Sequence, residues 1–177
     1  MRSFKNFLKE MPELAYGRRR QHLFDDDYVP IHKAGHHPDT GEYYRSFGAN
    51  GNHKLYGNIE SGNITRIHAV DKSSGQSHYV VDGDHDRKKN KFQVRNVDSH
   101  ADRQGKYADV IDHMVSKGHV GTWESDTVHS KGSKQTYSDL VGRKHLEVRH
   151  NDKPINNHED LENAYKSYGS FTVSKRK

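Results

Sequence analysis

The stretch DSHADRQGKYADVIDHMVSKG, residues 98–118, decides how the chain is read. A strand-like run, KFQVRNVD (91–98), ends where it begins, and a helix-like pattern follows after a short polar turn. Tyr107, Val110, Ile111, Met114 and Val115 fall on one stripe, with Asp109, Asp112 and His113 opposite or flanking. Lys117 and Gly118 supply a C-terminal stop signal. The turn between carries Arg103, Gln104, Gly105 and Lys106. A strand that ends in a tight turn at a helix N-terminus presents unpaired backbone N–H groups, and the helix dipole adds to them, making an anion site. Gly105 lets the backbone approach a ligand closely, and Arg103 and Lys106 add charge-assisted contacts. On residues alone the turn reads either as a phosphate cradle or as a plain strand–helix connection, since many α/β proteins carry a Gly at such a turn and bind nothing there.

Upstream, NITRIHAVD (63–71) and QSHYVVDGD (76–84) are two strand-like runs joined by the turn signal KSSG. In the third strand, 91–98, Phe92 and Val94 alternate with Gln93 and Arg95. The parity then slips at Asn96 and Val97, which marks either a β-bulge or a frayed strand end. Downstream, HVGTWES (119–125) is a strand, and 130–143 is a loop leading into a short helix through Tyr137 and Leu140. KHLEVRH (144–150) alternates as a strand, 157–168 is a helix with an acidic first turn, and 169–175 is a last short strand. Strands interleaved in this way with helices predict an α/β (α+β) domain with a sheet and helices on both faces. Residues 30–62, rich in Gly, Asn, His, Pro and Tyr, read as loops with short strands or helical turns. Phe4, Phe7, Leu8 and Met11 form one face of a short N-terminal amphipathic helix. With the charge blocks GRRR (17–20) and DDD (25–27) behind it, the expected division is a helix and charged connector over 1–28 and a single domain over 29–177.

Composition bounds the function. Hydrophobic residues are 30% of the 177, and mean hydropathy is −1.17. Such a chain builds a modest core with long polar loops, to which ten Tyr and one Trp add buried area. The absence of Cys excludes disulfides, thiolate metal sites and Cys nucleophiles. No apolar run approaches the roughly 20 residues of a membrane helix, and the N-terminus lacks a signal-peptide apolar core. The net charge of +5 suits acidic partners without naming one.

The segment FQVRNVDSHADRQGKYADVIDHMVSKG followed by VGTWESDTVHSKGSKQTYSDLVGR resembles the cofactor-binding half of the GNAT acetyltransferase superfamily, most closely the short GNAT-like proteins of tailed bacteriophages. The family's Arg-Gly-x-Gly-x-Ala turn corresponds to Arg103-Gln104-Gly105-Lys106-Tyr107-Ala108. Its Ser-Asp … Ser-x-Gly-Gly segment and the aromatic helix after it correspond to Ser125-Asp126, Ser130-Lys131-Gly132-Ser133 and Tyr137. Lys106 stands where the family's turn usually has its second Gly. The resemblance spans roughly 63–150 and implies a GNAT-like mixed, mostly antiparallel sheet. It also implies acetyl transfer from acetyl-CoA, as co-substrate, to a small-molecule or protein primary amine. A bulged strand around Val97 and Asp98 would aim a backbone N–H at the thioester carbonyl. The resemblance further assigns Arg103 to Ala108 and Ser133 to the coenzyme. Glu124 and Asp126, or alternatively Asp98 and His100, would supply the base, and Tyr137 the acid that protonates the leaving thiolate.

The N-terminus resembles the head-targeting segments of phage internal proteins, with Leu8-Lys9-Glu10 matching their cleavage triplet. This implies contact with other virion proteins and action in the host cytoplasm or the virion. Asp82, Asp84 and Asp86 imitate calcium-loop spacing, but Arg87 replaces the required Gly and Gln93 the closing Glu, so 82–86 reads as a polar turn. No metal is expected, and a His/Asp site around His78, His85 and His100 is a minor alternative. The rival functions are a catalytically silent GNAT-fold virion protein and a basic nucleic-acid-binding protein using GRRR, DRKKNK and SKRK.

Overall fold

The computed structural model describes residues 33–99, 107–127 and 131–177. The N-terminal segment with its expected helix and cleavage triplet, His100, the turn residues Arg103, Gln104, Gly105 and Lys106, and Ser130 lie outside them. The described residues fall within one unit, Ile31–Lys177.

They form an α+β fold with one ten-stranded, mostly antiparallel sheet and three helices. Strands β1 (Gly35–His36), β2 (Tyr43–Asn50), β3 (His53–Glu60), β4 (Asn63–Asp71), β5 (Ser77–Asp86) and β6 (Lys91–Ser99) run as an antiparallel meander. Helix α1 (Tyr107–Ser116) then leads to β7 (Thr122–Glu124), which pairs parallel to β6. Helix α2 (Lys131–Val141), β8 (Leu146–His150), β9 (Lys153–Pro154), α3 (His158–Ala164) and β10 (Phe171–Lys175) follow. β10 inserts between β7 and β8, antiparallel to both, so the order is β1-β2-β3-β4-β5-β6-β7-β10-β8-β9.

Residues 30–62, expected to be largely loop, contain two eight-residue strands. Their hairpin turns are short. Gly51-Asn52 closes the pair Asn50↔His53, and Ser61-Gly62, both at positive φ, closes Glu60↔Asn63. The alternation is hidden because the register shifts at Phe47, the extra residue between the pairs Ser46↔Tyr56 and Gly48↔Leu55. The bulge leaves the Phe47 carbonyl to accept from both His113 Nε2 (2.7 Å) and His119 Nε2 (3.0 Å), which ties β2 to α1 and the segment after it.

Ile111, Met114 and Val115 of α1 are buried with Leu55, Ile67 and Val81 of the meander in one core that also takes in the C-terminal half. This is the stripe read from the sequence, and burying each such side chain contributes on the order of 1.5–3 kcal/mol. Arg143, just past α2, ion-pairs with Asp109 and Asp112 of α1, and His145 Nε2 lies 2.8 Å from the same Asp112. Of the expected placement of helices on both faces, the contacts establish that α1 touches α2 and α2 touches α3. Among the described residues no helix is long and apolar enough to cross a membrane.

His68, in mid-β4, is buried, and its Nδ1 lies 3.2 Å from Ser77 Oγ. Burial, reinforced by Arg66, pushes its pKa down to about 3 from 6.5. Between these values the unfolded chain binds a proton that the folded chain refuses, so stability falls as pH drops through this window. We expect His68→Asn to flatten the slope of unfolding free energy by about 1.4 kcal/mol per pH unit there. Urea midpoints across a pH series measure it. An unchanged slope would show that His68 titrates normally in the fold.

Candidate functional site

The site is built where β6 and β7 part. Their parallel pairing covers Lys91↔Thr122, Phe92↔Trp123 and Gln93↔Glu124. Phe92 and Trp123 are fully buried with ring centroids 5.0 Å apart. Gly83 of β5 makes room for this packing. A Cβ there would lie 2.5 Å from the Phe92 ring and 2.5 Å from the Gln93 carbonyl oxygen. Beyond Glu124 the chain leaves β6 and follows β10. The Ser125 amide donates to the Phe171 carbonyl (2.8 Å), the Phe171 amide donates to Ser125 Oγ (2.8 Å), and Ser125 Oγ donates to the Asp126 carbonyl (2.7 Å). β6 meanwhile continues to Ser99 alongside β5. The two strands thus stop pairing and part, with 94–99 on one side and 125–127 on the other. Helix α1 begins at Tyr107, whose ring packs on Tyr79 (5.7 Å) and Trp123 (6.2 Å).

The parity slip expected at Asn96–Val97 is a bulge, centred slightly earlier than the residues assigned to it. Asp82 faces Asn96 and Gly83 faces Val94, so Arg95 is the extra residue. The strand does not fray, since Val97 pairs with Val81 and Asp98 with Val80. After the bulge Val97, rather than Asn96, packs against the core, and Asp98 is buried with Oδ1 accepting from the Ser99 amide (2.8 Å).

Three of the residues assigned to chemistry gather near the point where the two strands part. Glu124 closes β7 with both oxygens engaged, Oε2 by Lys91 Nζ (2.5 Å) and Oε1 by Ser170 Oγ (3.0 Å). Asp126 is exposed, and its Oδ1 accepts from the Thr127 amide (2.6 Å). Tyr137, on α2, is buried and stacked on Phe171 at 4.3 Å. Burial pushes its hydroxyl well above the ordinary tyrosine range, against a hydrogen bond with Ser125 that pulls it down. Tyr137 therefore stays protonated through neutral pH. Ser133 Oγ sits 3.1 Å from the Tyr165 hydroxyl, and Ala108 is buried in the core.

His78 and His85 do not come together. They stand at opposite ends of β5, seven residues or about 23 Å apart along the strand. The neighbours of His78 are instead His53 and Asp71, buried like it. Sequence reasoning passed over both. The signal was present in part, because Asp71 and His78 flank the same KSSG turn.

A groove lined by Thr122, Glu147, Arg149, Lys175 and Lys177 lies at the start of β7. Comparison with protein-family models, curated proteins and solved structures gives no match for this chain.

Ser125 holds the departing strand on β10 through a buried backbone-to-side-chain bond. Ser125→Ala removes the acceptor of the Phe171 amide and should lower stability by about 1–3 kcal/mol, read as a shift in the chemical-denaturation midpoint. A variant as stable as the parent would show that the staple does not hold the two strands together.

Proposed function

We propose that the chain is a phage-type GNAT-like acyltransferase that moves the acetyl group of acetyl-CoA to a primary amine. The observation that carries this reading is the parting of β6 and β7 after three residue pairs, with a bulge in β6 and a helix beginning beside the gap. Four further features support the GNAT-like arrangement, in which helices lie on both faces. β6 and β7 are parallel and joined through α1, α2 follows β7, and β10 sits between β7 and β8.

In this reading the thioester lies in an opening between the parted strands, and a backbone N–H of β6 near Val97 and Asp98 polarises its carbonyl. The amine gives a proton to a base and attacks the carbonyl carbon. The C–S bond then breaks, and the thiolate takes a proton from an acid. Asp126, exposed with Oδ2 clear of the Thr127 bond, suits the base better than Glu124, which Lys91 and Ser170 occupy. Tyr137, kept protonated by burial, suits the acid. The turn 103–106 and Ser133 are the assigned grip on the coenzyme. The acceptor is a small molecule or a protein lysine. The site of action, with the N-terminal resemblance, is the host cytoplasm after delivery in the virion.

A second reading, a catalytically silent protein of the same fold, is favoured by Lys106 in the turn and by the engaged Glu124. A third, nucleic-acid binding, is favoured by Arg149, Lys175, Arg176 and Lys177 around the groove at the start of β7. A steep fall of DNA affinity with salt would select it.

Acetyl-CoA at about 100 times its dissociation constant should stabilise the full chain by about 2.7 kcal/mol, seen as a rise in Tm. Gly105→Glu should remove that rise through charge repulsion and bulk at the anion site. Tyr137→Phe should keep the rise and lower kcat about 100-fold or more. No rise at millimolar acetyl-CoA removes the enzyme reading, and a rise that survives Gly105→Glu removes the assigned turn.

A further inference from the structure

We propose that His53, Asp71 and His78 form a binding site for one divalent transition-metal ion of the zinc class, at the end of the β3–β4–β5 meander. Each contributes one potential ligand atom, and these atoms lie within 4.8 Å of one another. His53 Nε2 and His78 Nδ1 are 3.0 Å apart. Ligands at about 2.0–2.1 Å from a tetrahedral ion stand about 3.3 Å from each other, so the two nitrogens need to separate by only a few tenths of an ångström. Two imidazoles and one carboxylate form a donor set that suits zinc and its neighbours rather than calcium or magnesium.

The backbone builds this cluster deliberately. His53 opens β3 and is paired directly with Asp71, the last residue of β4. On the next strand Ala69 faces Tyr79 and Val70 faces Ser77, so His78 is the extra residue of a bulge. Without the bulge, strand alternation would not bring its ring to His53. Asp71 is fixed as a carboxylate of set orientation. Its Oδ1 accepts from the Ser73 hydroxyl (2.5 Å), the Ser74 amide (2.8 Å), the Ser73 amide (2.9 Å) and the Ser74 hydroxyl (3.0 Å), while Oδ2 takes none of these bonds. All three side chains are covered, with 5–6% of their surface accessible. Three protein ligands leave a fourth position to water or a bound small molecule. The site would also clamp three strands near the start of α1.

The test uses the full untagged chain, in which the other thirteen of its fifteen His supply only weak sites. Isothermal titration with Zn(II) should give one site tighter than the rest, and one equivalent should raise Tm. His53→Gln and His78→Gln should abolish the tight site, and Asp71→Asn, which keeps an acceptor for the turn, should weaken it about tenfold or more. The exposed His145→Gln should leave it intact. Co(II) bound to the parent chain should give the intense visible bands of a four-coordinate ion, a result that does not require any variant to fold. The proposal is overturned by weak uniform zinc binding alone, by a tight site that survives both His variants, or by the pale spectrum of six-coordinate Co(II). Acetyl-CoA plays no part in these measurements, so their outcome is independent of the acyltransferase reading.

Discussion

The fold turns on a parallel contact only three residue pairs long. Phe92 and Trp123, side by side on β6 and β7 and fully buried, bolt the meander to the C-terminal half of the sheet. One residue after the last of those pairs, Ser125 commits the chain to β10 by exchanging bonds with Phe171. A strand cannot pair on two diverging sides, so β6 runs on without a continuing β7. The parting of β6 and β7 is thus a consequence of where hydrogen bonds go. Around it, Lys91, Glu124 and Ser170 form a polar hinge.

Much of the C-terminal half was legible. The stripe Tyr107, Val110, Ile111, Met114 and Val115 gave α1, and alternation gave β6, β8 and β10 close to their observed bounds. The parity slip after Arg95 was a true bulge because Val97 re-enters the core while Asn96 does not. Residues 30–62 were misread for a physical reason. Their strands carry Gly, Asn and His where apolar residues are expected, and the bulge at Phe47 breaks the period of two. The turn residues were the clue available there, since Gly51-Asn52 and Ser61-Gly62 each close a two-residue hairpin. The site was legible only as a set of residues near one turn. Which of them touch was not legible, because the engagement of Glu124 by Lys91 and the burial of Tyr137 on Phe171 depend on neighbours distant in sequence.

The histidines are used structurally more than their number suggested. His113 and His119 share one carbonyl acceptor, His145 joins the Arg143–Asp112 contact, and His68 is buried in mid-strand. A chain poor in aliphatic side chains fills its interior with imidazole and phenol rings, each of which brings a polar atom that must be satisfied. This links the composition to acid sensitivity, because burial lowers the pKa of His68 and His119, so the folded state resists their protonation.

The central claim of the proposed acyltransferase reading, that β6 beyond its pairing with β7 presents an edge to acetyl-CoA, is tested most directly by amide hydrogen exchange along Asn96–Ser99, with and without acetyl-CoA. The account predicts slow exchange for amides bonded to β5, fast exchange for those facing the opening, and selective slowing of the fast set when acetyl-CoA is added. Uniformly slow exchange throughout, unchanged by the coenzyme, would mean that the edge is already paired and that the opening does not exist in solution.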